Sequence, residues 1–179
     1  MANNKSAVLG VAVLGSMVLG NQGDGLFLIT DRTTADLERV QYLRSVGFDN
    51  MTGDEKMEFL QMLKGAYGYT DLNRVGNAVR YVANKLKAAG NVVYVNPKAD
   101  WVQGENPTTE QMDSYLADVR SIRAVLSVYP NTPNVPEAMD RLTTHKANNI
   151  EQILLDVDGL IDKMNKSYYY SGEIYGGEV

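Results

Sequence analysis

Residues 144–168 read THKANNIEQILLDVDGLIDKMNKSY, and this stretch decides the fold. Ala147, Ile150, Leu154, Val157, Ile161, Met164 and Tyr168 recur at alternating steps of three and four, the spacing of one face of an α-helix. Sustained over about three heptads, this is also the spacing of a coiled-coil seam. Ile153, Leu155 and Leu160 widen the stripe, as in a helix buried among several neighbours. The pattern predicts a helix over 144–168 inside an intramolecular bundle, with self-association through this helix as the alternative.

Working back toward the N-terminus, the chain is punctuated by helix caps. Thr33 with Asp36 opens a helix over 33–47 with the stripe Leu37, Val40, Leu43 and Val46, and Gly47 stops it. Thr52 and Glu55 form a capping box for a helix over 53–64 carrying Met57, Leu60 and Leu63, broken by Gly65 and Gly68. Thr70 or Asp71 caps a third helix, 71–89, whose stripe is Leu72, Val75, Val79, Val82 and Leu86, and Gly90 ends it. Thr108 and Gln111 box a fourth, 108–129, carrying Met112, Tyr115, Leu116, Val119, Ile122, Leu126 and Tyr129 before Pro130. Pro136 is placed to begin a short helix. The expected core is Leu72, Val75, Val79, Val119, Ile122, Leu126, Ile150, Leu154, Val157 and Ile161. Only Asn91-Val92-Val93-Tyr94-Val95-Asn96-Pro97 reads as strand in the body, and pairing with the N-terminal segment would satisfy its backbone.

That N-terminal segment, Ser6 to Gly20, is a repeat: Ala7-Val8-Leu9-Gly10, Ala12-Val13-Leu14-Gly15 and Met17-Val18-Leu19-Gly20. Val and Leu suit extended chain, whereas a Gly every fifth residue weakens a helix by about 1 kcal/mol each. A secretory signal is an alternative by length, but the run is too short to span a bilayer as a helix. The remaining readings are a strand tucked onto the helices and an arm that docks into an assembly. In the second, Val8, Leu9, Val13, Leu14, Val18 and Leu19, continued by Leu26 and Phe27, form the assembly interface. Asn21-Gln22-Gly23-Asp24-Gly25 is a turn cluster without the Lys-Ser/Thr pair of a phosphate loop.

The fold expected is therefore mainly α: about five helices in a bundle over 30–170, an extended arm over 1–29, and a short Tyr-rich tail over 171–179. The 179 residues suit one domain with an arm. Seventeen basic against 22 acidic residues argue against general affinity for nucleic acid or anionic lipid. The absence of Cys excludes disulfides, thiolate nucleophiles and Cys-ligated metals, and the single His excludes every site needing two.

Chemistry-bearing patterns are few. Asp156-Val157-Asp158-Gly159 resembles half an EF-hand loop, but it lies within the periodic helix and reads as solvated acids on a helix face. His145 has no patterned partner and reads as a surface His. Asp54 with Glu55, and Asp113 with Asp118, are not placed across a cleft by anything in the sequence. No enzyme, cofactor or metal is expected. The C-terminus is more distinctive, with Tyr168, Tyr169, Tyr170 and Tyr175 drawn from a total of 11 Tyr. Tyr combines contact area with a hydrogen-bonding tip, which suits either a cover over the bundle end or an interface. Trp101, in a polar loop, joins these tyrosines as a candidate aromatic binding surface.

Four stretches carry a resemblance: Thr30-Asp31-Arg32-Thr33 with Asp36 and Arg39-Val40; Leu63-Lys64-Gly65-Ala66-Tyr67 with Tyr69-Thr70-Asp71-Leu72-Asn73-Arg74-Val75; Asn148-Asn149-Ile150-Glu151 with Ile153-Leu154-Leu155-Asp156; and Ser171-Gly172-Glu173-Ile174-Tyr175. Together they resemble a helical module in structural proteins of tailed phages and prophages of Gram-positive bacteria, often in tail-fibre or baseplate regions. The likeness spans residues 30 to 179 and contains no catalytic motif. It implies a non-enzymatic virion component made in the bacterial host cytoplasm, with other virion proteins and copies of itself as partners. A host-surface glycan or protein receptor is the alternative partner, and neither nucleic acid nor a membrane span is implied. Here the module stands almost alone behind the repeat, which departs from its usual place as an appended unit and leaves the virion part open.

Overall fold

A computed structural model describes residues 26–61, 63–140 and 142–173, the last four without their side chains. Five α-helices follow in order: α1 (Thr34–Val46), α2 (Gly53–Leu60), α3 (Tyr69–Ala88), α4 (Thr109–Val125) and α5 (Thr144–Glu173). A 3₁₀ turn, Phe48–Asn50, links the first two. No strand forms among the described residues. The mainly helical fold expected from the stripes is what the chain adopts; the repeat arm and the residues beyond 173 lie outside the described residues.

Three of the helix starts follow the capping arithmetic. Thr33, Thr52 and Thr108 each accept the amide three residues on, and Asp36, Glu55 and Gln111 return the bond to the cap amide. Bonds from the Thr33 hydroxyl and then its amide hold the Asp36 carboxyl below its ordinary pKa, and the Thr52 amide and then its hydroxyl do the same for Glu55. A depressed folded pKa is stabilising above the unfolded value and is lost as pH falls through the folded one. Helical signal from α1 and α2 should therefore decline below about pH 4, before α3 to α5 respond, in residue-resolved NMR titration.

Helices α3, α4 and α5 enclose the core. Leu72, Val75, Val79, Val82 and Leu86 meet Leu116, Val119 and Ile122 and, from α5, Ile150, Ile153, Leu154, Val157 and Ile161. Nine of the ten expected core residues are buried. Leu126 is the exception, half-buried against the cluster's margin, because α4 ends at Val125 and Leu126 is already extended (φ −116°, ψ 157°).

The three core helices run in one direction. Arg74, early in α3, pairs with Glu151 early in α5, while Lys85 near the end of α3 pairs with Asp158 and Asp162 further along α5. Tyr115, early in α4, reaches Tyr67 just ahead of α3, and Arg123 near its end reaches the Thr132 carbonyl, whose hydroxyl donates to Asp156. Parallel helices need a connection as long as the helix. Residues 89–108 and 126–143 are those connections, and neither contains a helix or strand among its described residues.

The first return segment lies along α3. The Asn91 amide bonds the Leu86 carbonyl, Arg80 donates to the Pro97 carbonyl, and Asn73 holds both the amide and carbonyl of Trp101. Gly76 is where the two backbones touch: a Cβ there would stand 2.5 Å from the Lys98 carbonyl oxygen. Gly76→Ala should accordingly destabilise by about 1–3 kcal/mol despite Ala's helix preference. Gly53→Ala meets nothing within 4 Å and should raise the melting temperature slightly. If Gly76→Ala melts at or above the parent, the close approach is absent in solution.

Several boundaries differ from the sequence expectation. Helix α2 stops at Leu60, four residues early, and buries none of its residues: Met57 and Leu60 are 64% and 74% exposed. The cap starts this helix, but three apolar positions do not make a face wide enough to bury. Neither Thr70 nor Asp71 caps α3; Gly68 is the cap position, and Asp71 accepts its amide from inside the first turn. No helix forms at Pro136, because Arg120 takes the Pro136 and Glu137 carbonyls that a helix would need. Helix α5 runs on through Tyr168 to Glu173, with no Gly or Pro between Leu160 and Gly172 to end it.

Candidate functional site

The most developed polar constellation is buried where the chain enters the bundle. Arg32, just ahead of α1, reaches between α3 and α5 with its side chain 1% exposed. Its guanidinium donates to Asp71 Oδ1 at 3.0 Å and to Glu151 Oε1 at 2.6 Å. Arg74 approaches the same acids at 2.6 and 2.7 Å, so two guanidiniums and two carboxylates close a neutral ring. Glu151, fully buried, also accepts the Ile29 amide at 2.6 Å, and Asn148 bonds both the amide and the carbonyl of Arg32. Tyr67 lies over the Arg32 guanidinium at 5.3 Å, and its hydroxyl pairs with that of Tyr115. Burial, and next the negative charge of Glu151, push the Tyr67 hydroxyl above its ordinary pKa; burial dominates for Tyr115 as well.

This ring joins residues from three of the four stretches that carry the resemblance: Arg32, then Asp71 and Arg74, then Asn148 and Glu151. Their shared role in this chain is to bolt the entering segment, α3 and α5 together. Among the described residues, no group of three or more His, Asp or Glu is arranged to hold a metal. Each acid of the ring, Asp71 and Glu151, is paired with both guanidiniums.

Sequence reasoning missed the ring and its companion pair. Glu151 and Asp158 are seven residues apart and therefore share one face of α5, the face that carries the core. Asp158 is 8% exposed and bonds Lys85, while Asp156 is half-buried and accepts from Thr132 and Gln152. The reading of Asp156 and Asp158 as solvated acids is thus corrected: bundle contacts reach round to both. Burial works against the Lys85 charge, but its bonds to Asp158 and Asp162 outweigh it and raise its pKa.

The predicted site residues scatter. Trp101 is 3% exposed, packed in the core cluster with Lys98 Nζ 4.7 Å from the ring, so it is not an open platform. The Asn73 side chain clamps its backbone and turns the indole inward. Tyr168 and Tyr169 are exposed at 72% and 69% on the later turns of α5. Tyr170 is helical with its side chain outside the described residues, where Tyr175 also lies. Leu26 packs at the core margin and Phe27 is 68% exposed. Val8, Leu9, Val13, Leu14, Val18 and Leu19 lie outside the described residues.

His145 is exposed and lines a shallow polar cleft of about 580 Å³ with Thr30, Asn131, Asn134 and Asn149. Glu55 is engaged in its cap, and Asp113 is exposed. Asp118 accepts the Asn96 amide, with burial raising its pKa. No helix among the described residues is long and apolar enough to cross a membrane. No protein-family model matches this chain, and no curated protein or solved structure matches it.

Proposed function

We propose that this chain is a non-enzymatic structural component of a phage virion, an exterior part such as a tail fibre or baseplate element. Its N-terminal arm anchors it to neighbouring subunits. The observation that carries the reading is a mismatch between its two parts. The core faces of α3, α4 and α5 are filled by one another, while Ser6 to Gly20 supplies three Val-Leu-Gly units with no charge. Burying each such side chain is worth about 1.5–3 kcal/mol, so the arm gains most from a partner surface. The resemblance of residues 30 to 179 to virion modules supplies the setting.

Deleting residues 1–22 should leave a folded helical body that no longer assembles with its partners or with itself. Circular dichroism and sedimentation read the two properties separately. Unfolding of the truncated chain would instead assign the arm to its own core.

Receptor binding is the second reading, and exposed Tyr168 and Tyr169 favour it. Trp101 no longer contributes to it. Replacing both tyrosines with Ala should then abolish attachment to host cells while leaving assembly intact.

A further inference from the structure

The cleft beside His145 is assembled from three separate segments. Thr30 comes from the entering chain, Asn131, Pro133 and Asn134 from the connection between α4 and α5, and His145 and Asn149 from the first turns of α5. Its volume of about 580 Å³ falls within the range of small-molecule sites. Each segment is pinned from outside the cleft or from its wall. Asn148 bonds the amide and carbonyl of Arg32, two residues beyond Thr30. Arg123 donates to the Thr132 and Pro133 carbonyls, and the Thr132 hydroxyl donates to Asp156, which also holds Gln152. The remaining side chains are left without partners: those of Thr30, Asn131, Asn134, His145 and Asn149 make no hydrogen bond among the described residues. Charged residues make up 22% of the chain, yet none of the described lining residues is Asp, Glu, Lys or Arg. A phosphate, a carboxylate or a metal cation would therefore find no counter-charge there.

We infer that this cleft binds a neutral saccharide. Sugar hydroxyls donate and accept at once, and each primary amide offers two donors and an acceptor to meet them. Three such amides converge here on fixed backbone, so little ordering is needed when the ligand arrives. Pro133 adds an apolar surface for the C–H face of a sugar ring. A peptide fits less well, because its binding energy comes from apolar or aromatic anchors in deep pockets, and this cleft is shallow and polar. The site lies far from Tyr168 and Tyr169, roughly 30 Å along α5 from Asn149 at about 1.5 Å per residue. It depends neither on those tyrosines nor on docking of the arm.

The test passes fluorescent full-length protein over immobilised neutral glycans, acidic glycans and neutral peptides. At least one neutral glycan should retain it. That glycan, free in solution, should shift the side-chain amide resonances of Asn131, Asn134 and Asn149. Asn134→Ala and Asn149→Ala should each weaken its binding about tenfold. Neither should lower the melting temperature, since neither side chain holds another part of the fold. Exposed Asn165→Ala, and the double variant Tyr168→Ala/Tyr169→Ala, should bind as the parent does. Retention by no neutral glycan overturns the inference. So does retention by acidic glycans or peptides alone, or binding that is lost with the tyrosines and kept in the Asn variants. None of these results bears on the virion reading, which deletion of residues 1–22 tests separately.

Discussion

Glu151→Ala is expected to cost about 3–5 kcal/mol, the usual result of stripping one partner from a buried ion network. The wild-type carboxylate accepts from Arg32 at 2.6 Å, from Arg74 at 2.7 Å and from the Ile29 amide at 2.6 Å, with none of its surface in water. Removing it takes a shared acid from both guanidiniums, and the Arg32 side chain, 1% exposed, cannot retreat to solvent. Glu151→Gln should also be strongly destabilising, because its amide nitrogen would face a donor. The loss should persist in 1 M salt, since buried pairs are screened far less than exposed ones. The double variant Arg32→Met/Glu151→Leu should recover much of it. That change removes one charge of each sign, keeps the Asp71–Arg74 pair, and deletes the Arg32 Nε, a buried donor without an acceptor among the described residues. Urea unfolding of the four proteins decides the matter. A Glu151→Ala cost under about 1 kcal/mol would mean that water reaches the ring in solution.

The ring also shows where sequence reading stops. Helix starts were legible because Thr with an acid or amide three residues later is a local device, satisfied within one turn. The core stripes were legible because a period of 3.6 reports which side is buried. Neither signal carries direction, so the parallel arrangement of α3, α4 and α5 was not apparent. Its trace was the length of the stretches between stripes: antiparallel neighbours need about 2–8 residues, far fewer than 89–108 or 126–143 provide. Glu151 and Asp158 were legible in principle as acids one heptad apart on the buried side of α5. Their cations, Arg32, Arg74 and Lys85, come from elsewhere in the chain, and only tertiary structure pairs them. Trp101 was misplaced for a related reason. Its loop carries Lys98, Asp100, Gln103 and Glu105, and the Asn73 side chain that holds its backbone lies on the preceding helix.

Leu154→Ala is expected to cost about 2–5 kcal/mol, toward the upper end. Leu154 is fully buried on α5, with Ile150, Ile153, Val157 and Ile161 around it also at 0% exposure. The transfer loss is common to any buried Leu; what varies is how far the surroundings collapse into the gap. Here collapse is resisted twice. The neighbours are mostly β-branched Ile and Val, stiff at χ1 and already close-packed. The helices on either side are held in position by polar clamps at both levels, the Arg32–Asp71–Arg74–Glu151 ring and the Lys85–Asp158 pair. A cavity flanked by such clamps stays open. Leu126→Ala is the matched control: half-buried at the margin, beyond the last turn of α4, it should cost about 1 kcal/mol or less. Equal losses at the two positions, measured by chemical denaturation with unchanged m-values, would mean that Leu154 is not at the centre of the bundle.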